Sequence, residues 1–329
     1  MSQTTQSATK AGGTAPSVKT LKNLVRGDRP YVLYAAFAVL IVAFSFASPV
    51  FFSSSNFLNI GRQTALVTII AVGMTFVIIA GEIDLSVAST LALSGMSAAL
   101  AIQQSGGNWA LGAAAGLATG AVVGLVNGLL TTMLAIPSFL VTLGMLGIAR
   151  GIALMLTGTT PVVVNSLAFW DTFGEGAILG VPAPIVMTIV VIAAGAYVLH
   201  FSTFGRRVFA TGGNATAARY SGINTRRTKT LAFVITGALA GLAGLILTAR
   251  AHAARPDIAA GLELDVIAAV ILGGTSLFGG RGAILGTVLG SLMIGVLNNG
   301  LTLMGVSSQA QLVVKGAIII AAVAFSRRK

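Results

Sequence analysis

The 329-residue chain has no cysteine, only two histidines and only eight acidic residues. Without cysteine, neither disulfides nor thiolate metal sites are available. No H-E-x-x-H, no G-x-S-x-G and no paired metal ligands occur, which removes the commonest hydrolase and metalloenzyme signatures. No lysine follows a G-x-x-x-x-G pattern, so the chain has no P-loop with which to hydrolyse ATP. Titratable groups are too few and too scattered for an enzyme. Charge is also scarce. Charged residues make up 9% of the chain, where a soluble domain carries about 25%.

Hydrophobic residues fill the place of the missing charge. They make up 55% of the chain, with 41 glycines and a mean hydropathy of +0.93. This is the composition of an all-α polytopic membrane protein, in which small residues let helices approach closely. The net charge of +12 is explained by arginine and lysine gathering in cytoplasmic loops, with no need for a nucleic-acid partner. Residues 1–30 are polar and basic and lack the apolar core of a signal peptide, which predicts a disordered cytoplasmic tail. The rest, residues 31–329, is one transmembrane domain.

A helix needs about 20 apolar residues to cross a bilayer. About ten candidate spans follow: 31–48, 63–80, 86–103, 109–133, 138–157, 183–201, 230–249, 264–277, 283–304 and 309–326. The eighth is short and glycine-rich, which predicts a broken or re-entrant segment. With the basic tail inside, alternation places the loop 202–229 and the C-terminal "SRRK" inside and the acidic, lysine- and arginine-free loop 158–182 outside. Both termini are then cytoplasmic.

The chain repeats itself. "GEIDLSVAS" at Gly81 parallels "GLELDVIAA" at Gly261, Asn127 parallels Asn298, and Arg150 parallels Lys315, in the same order. The units are about 31–157 and 183–326. Five spans is an odd number, so the two units are inverted repeats, with a transport pathway expected at their interface.

Several polar residues lie in or beside the spans. Glu82 and Asp84, and likewise Glu263 and Asp265, can contact a solute or ion, or can cap the following helix. Arg150 and Lys315 lie inside spans, where a charge must face protein or water; ion pairs or carbonyl contacts are the bland alternative. Asn127 and Asn298 read as helix-packing or gating residues. Ser138, Phe139 and Thr142 at the start of span five, and Gln309 and Gln311 at the start of span ten, are candidates for lining the pathway. For the polar ones, interhelical hydrogen bonding is the alternative.

The loop segment "GRRVFATGGNATAARYSGINTRRTK", residues 205–229, has six basic residues and no acid. Gly212-Gly213-Asn214 is a helix-start signal, with Asn214 as N-cap. Gly222 followed by Ile223 is a stop signal. A short cytoplasmic helix over 214–221 is expected, with a small-residue surface. A helix of that length needs something to pack on, and a groove in a protein partner suits it better than lipid headgroups.

This segment is similar to the coupling-helix loop of permease subunits from ATP-binding-cassette sugar importers of the ribose, xylose and arabinose type. "GEIDLSVAS", "GLELDVIAAVILGGTSLFGGRG" and "NNGLTLMGVSSQAQLVVKG" resemble further signatures of that family. The likeness covers most of residues 50–329, with the C-terminal third most like the ribose permeases. One departure is Ala215, where the family commonly has Glu; it removes a negative charge that is favourable at a helix N-terminus.

The resemblance implies a bacterial inner-membrane permease with no catalytic residue, metal or cofactor of its own. ATP and Mg would be bound by a partner subunit with fused tandem nucleotide-binding domains. A periplasmic binding protein would deliver the sugar, and a second permease copy would complete the pore. Gly212, Gly213, Asn214, Ala217, Ala218, Arg219 and Gly222 would couple to the ATPase. Inverted repeats would equally suit a self-contained ion-coupled transporter, but no acid lies deep in any span and such a protein has no need of the capped helix.

Overall fold

The computed structural model describes residues 30–326. The expected tail, save Pro30, and residues 327–329 lie outside the described residues. Among the described residues the chain is almost wholly helical, with thirteen helices: α1 (Pro30–Ala47), α2 (Ser54–Ile79), α3 (Val87–Gln104), α4 (Trp109–Met133), α5 (Ser138–Met155), α6 (Leu167–Phe173), α7 (Ala183–Phe201), α8 (Thr203–Gly213), α9 (Ala215–Tyr220), α10 (Thr225–Ala251), α11 (Leu262–Leu272), α12 (Ile284–Leu303) and α13 (Ser308–Ser326). Six of them, α2, α4, α5, α7, α10 and α12, are long and apolar enough to cross a membrane.

Glycine sets the packing. On α4, Gly112, Gly116, Gly120, Gly124 and Gly128 recur every fourth residue and form one ridge. A side chain on Gly120 or Gly124 would run into the backbone of Gly237 or Phe233 on α10. The two helices therefore touch main chain to main chain, where backbone approach and dispersion replace the hydrophobic effect that lipid cannot supply. Gly95 on α3 packs on Thr248 of α10, and Gly73 on α2 packs on Thr236 of α10. Helix α10 is thus gripped on three sides, and Phe233, Ala240, Leu245 and Ile246 on it are fully buried.

Hydroxyls and amides hold α2 to α12. Thr68 and Ser291 share a hydrogen bond at 2.7 Å, as do Thr75 and Thr287. Asn56 and Asn299 exchange a reciprocal pair at 3.0 and 2.8 Å. In an apolar surround such partners are obligatory, because an unpaired buried polar group costs free energy.

At one end of the bundle lie α6 and two short ladders. β1 (Val162–Val163) pairs with β4 (Ala253–Ala254), and β2 (Ala177–Ile178) pairs with β3 (Val181–Pro182). There His252 caps α10 in the left-handed region, φ 53°, and stacks on Trp170 with ring centres 4.1 Å apart. Nearby, the hydrogen bond from Arg255 holds the Asp257 carboxyl below the usual carboxylate range. At the opposite end lie α8 and α9. The loop 202–229 was expected to hold one short helix; it holds two, because α8 precedes α9 and is continued by it after a single residue.

The eighth expected span is shorter than its apolar run. Helix α11 stops at Leu272, Gly274 turns at φ +86°, and 273–283 continues without helix. This irregular segment runs to the α8–α9 end of the bundle, where the Gly280 N–H donates to the carbonyl of Ile79 at 2.9 Å.

Candidate functional site

The α8–α9 end is assembled from local signals. Ser202 caps α8, its Oγ accepting from the Gly205 N–H at 3.1 Å. Val208 and Thr211 face inward and Phe204 stacks on Phe76 of α2, so α8 lies against the body. Arg206 and Arg207 face out. Asn214 then serves two helices. Its backbone N–H donates to Ala210 O at 3.1 Å, ending α8, and its Oδ1 accepts from the Ala217 N–H at 3.0 Å, starting α9.

Helix α9 ends in a two-bond glycine stop. The Gly222 N–H donates to Arg219 O and the Ile223 N–H to Ala218 O, both at 3.0 Å, with Gly222 at φ +81°. This closes the carbonyls that a helix end leaves open. Arg219 sits in the last turn, where a cation suits the helix dipole. Thr216, Ala217, Arg219 and Tyr220 are exposed, whereas Ala218 faces into the protein. Ala217, not Ala218, is thus the alanine that α9 presents outward. Arg206, Arg207, Arg219, Arg226 and Arg227 are all exposed here, and among the described residues none of them has an acidic partner. Among the described residues, the one acid at this end of the bundle that forms an ion pair is Glu82, half-buried and joined to Lys229.

Gly212 and Gly213 were expected to open α9. They instead form the last turn of α8. Gly212 is glycine for another reason. A side chain there would strike the Ile79 carbonyl and come within 2.8 Å of Gly280 N. Gly279 and Gly280, at φ +83° and +73°, face Gly212 and Gly213 in turn, and a Cβ on either would lie 2.8 Å from their backbone atoms. Three chain segments, remote in sequence, meet here through main chain alone. Glycine doublets are visible in the sequence, but the partner of each doublet is not.

The remaining candidates gather in two clusters. In the first, Asp84 Oδ1 accepts from Ser86 N–H at 2.9 Å and Ser86 Oγ–H at 2.6 Å, and Asn127 Nδ2 donates to Ser86 Oγ at 2.9 Å. Ser138 Oγ accepts from Ile83 N–H at 3.2 Å, and Thr142 donates to Ser138 O at 2.9 Å. Residues 82–86 are therefore strapped to α4 and α5. Of the expected carboxylate contacts with the following helix, Asp84 makes one, to the N–H of the N-cap residue Ser86, and Glu82 makes none. Ser86 is the N-cap of α3 and makes no side-chain cap bond; Asp84 stops two residues short, and Glu82 turns to Lys229.

In the second cluster Lys315 donates to Asp265 Oδ2 at 2.8 Å, and Asn298 Nδ2 donates to the same oxygen at 3.3 Å. Glu263 is half-buried beside Asp265. Arg150 does not copy Lys315; its Nη1 donates to the carbonyls of Pro256 and Ile258 at 2.6 and 2.9 Å. Ser138 and Thr142 are buried, Phe139 and Gln309 are exposed, and Gln311 closes its own turn on Val306 O at 3.0 Å. Arg250, not singled out from the sequence, donates to Arg62 O at 3.1 Å. Among the described residues no three side chains of His, Asp or Glu converge as metal ligands would.

Residues 56–323 match the family described as the permease component of the branched-chain amino acid transport system. The chain is 44% identical to the ribose import permease protein RbsC of Escherichia coli (strain K12) over 89% of its length and 92% of that protein's. It is 46% identical to the ribose import permease protein RbsC of Bacillus subtilis (strain 168), over 88% and 90%. It is 38% identical to the L-arabinose transport system permease protein AraH of Escherichia coli (strain K12), over 91% and 90%. No solved structure matches it.

Proposed function

From the premise that the chain belongs to the permease-component family of branched-chain amino acid transport systems, we propose that it is the membrane subunit of an ATP-driven importer of a pentose, with ribose the first candidate. It is a multi-pass protein of the bacterial inner membrane and not an enzyme. The solute class follows relatives that match along almost the whole chain and are named for ribose and L-arabinose.

The observation that carries the mechanism is α9. It is a six-residue helix, capped at both ends, with Ala217 turned outward and a rim of exposed arginines that have no acidic partner among the described residues. Too short to be stable alone, it is built as a handle for a partner. That partner is a cytoplasmic ATPase with two fused nucleotide-binding domains, and the contacts are Gly213, Asn214, Ala217, Arg219 and Gly222, while Gly212 and Ala218 face inward and hold the α8–α9 pair to the permease body. A periplasmic binding protein delivers the sugar at the opposite face.

The finer architecture is ten spans in two inverted repeats, about 31–157 and 183–326, with both termini cytoplasmic behind a tail of 1–30. Two observations support it. Each half pairs its own asparagine with its own acidic turn, Asn127 with Ser86 and Asp84, and Asn298 with Asp265. Exposed arginines crowd the α8–α9 end, as the charge rule expects of a cytoplasmic face. Two copies form the pore. On α5, Gly144 and Gly147 have open space where a side chain would be, unlike the packed glycines of α4. The pathway runs along the starts of α5 and α13, past Ser138, Phe139, Thr142, Gln309 and Gln311.

Reconstitution of the chain alone, and then with the ATPase and binding protein, tests this. Pentose uptake is expected only with both partners and ATP. Uptake by the chain alone under an ion gradient would sink the proposal in favour of a secondary transporter.

A further inference from the structure

Given that α9 receives the ATPase, we propose that Gly212, Gly279 and Gly280 are positioning residues for coupling, forming a rigid main-chain junction that delivers the displacement of α9 to the broken segment α11–283. Two routes lead inward from α9. One is α10, entered after residue 224. That helix is clamped by the close backbone contacts of Gly120, Gly124 and Gly237, and sliding it would break several such contacts at once.

The other route is backward through α8. Its last turn touches the end of α2 and the 279–280 turn with no side chain between them. Gly280 N–H bonds Ile79 O at 2.9 Å, and Gly212 fits only because it lacks a Cβ. Side chains can yield by changing rotamer, but main chain in van der Waals contact cannot. A shift of Gly212 therefore moves Gly279 and Gly280 with it.

Beyond the junction the chain leads straight to a buried ionic cluster. Segment 273–283 joins α11, whose Asp265 is held by Lys315 of α13 and Asn298 of α12. Three turns of helix are all that separate Gly273 from the start of α11. The salt link from Glu82 to Lys229 ties residues 82–86 to the start of α10, the clamped helix, so that turn stays with the fixed part of the bundle.

The test is made on the complete complex of permease, ATPase and binding protein in proteoliposomes. It reads pentose taken up per ATP hydrolysed. Gly212→Ala and Gly280→Ala are each expected to keep the ATPase bound and hydrolysing while uptake per ATP falls about tenfold, as overpacking of a close contact does. A merely structural defect would lower assembly and hydrolysis together. In the unaltered complex, hydrogen exchange of the Gly280 amide should stay slow with and without nucleotide, because the junction moves as one body, while amides of α9 change. Unaltered uptake per ATP in both variants overturns the proposal, and so does fast Gly280 exchange in either nucleotide state. Should both variants fail to assemble, the exchange measurement decides alone. Docking at α9 is checked separately with Ala217→Trp: an ATPase that still binds and couples fully through that variant would remove the docking premise, whatever the glycine variants do.

Discussion

Helix α9 should be removable without touching the rest of the fold, by taking away its two caps. Asn214→Ala deletes the acceptor for the Ala217 N–H, a loss of about 1 kcal/mol. Gly222→Ala forces a Cβ onto a residue at φ +81°. No atom lies within 4 Å of that Cβ, so the cost is conformational alone, about 1 kcal/mol. Only Ala218 of α9 is buried, so packing offers little compensation. The caps sit at opposite ends and their losses should add, giving about 2 kcal/mol, or roughly a 30-fold fall in the formed helix. Hydrogen exchange at Ala217, Gly222 and Ile223 measures it directly. Each single variant should speed exchange about fivefold and the double about 30-fold, with uptake by the reconstituted complex falling in the same order. Gly222→Asn is the control, because Asn tolerates the left-handed region. Unchanged exchange in the double variant would refute the reasoning. So would Gly222→Asn proving as harmful as Gly222→Ala, since the damage would then come from side-chain bulk and not from backbone conformation.

Lys315→Met should destabilise the detergent-solubilised protein by about 3–5 kcal/mol, because Asp265 is left buried without its cation; Lys315→Met with Asp265→Leu should recover much of the loss in thermal unfolding. Asn56→Leu should cost about 1–3 kcal/mol by orphaning the Asn299 amide, and the double change with Asn299→Leu should be milder than the single one. Gly120→Leu should yield no stable protein, whereas Gly144→Leu, with open space around it, should fold normally but shift the dimer fraction, read by mass measurement in detergent, towards monomer.

Much of the helix pattern was legible because hydropathy is local. The apolar runs at 109–133 and 183–201 coincide with α4 and α7. Errors arose where polar residues belong to helices. Helix α2 begins at Ser54, ahead of the run starting at 63, because Asn56 and Arg62 read as loop residues; in the fold Asn56 is satisfied by Asn299. Helix α8 was missed because Arg206, Arg207 and three glycines mask its apolar face. The caps of α9 were visible for the same reason the runs were: Asn214 and Gly222 act on neighbours in sequence. The contacts of Gly212 were not visible, since nothing near it in the chain names Ile79 or Gly280. Lys315 and Arg150 align in sequence yet differ in space, one meeting a carboxylate and the other two carbonyls, because a single charge can be satisfied in either way.

The eighth segment has a consequence for how the protein is made. Helix α11 is eleven residues long, about 16 Å at 1.5 Å per residue, against a hydrocarbon core of about 30 Å. The chain after it has no helix to satisfy its own peptide groups, and lipid supplies none. The translocation machinery therefore cannot release this segment sideways into the bilayer as it does an ordinary span. It must be held until α12 has emerged and Gly273 and Gly286 can meet. Ribosome-bound chains ending before residue 284 should leave residues 262–283 accessible to water-soluble reagents, and longer ones should bury them.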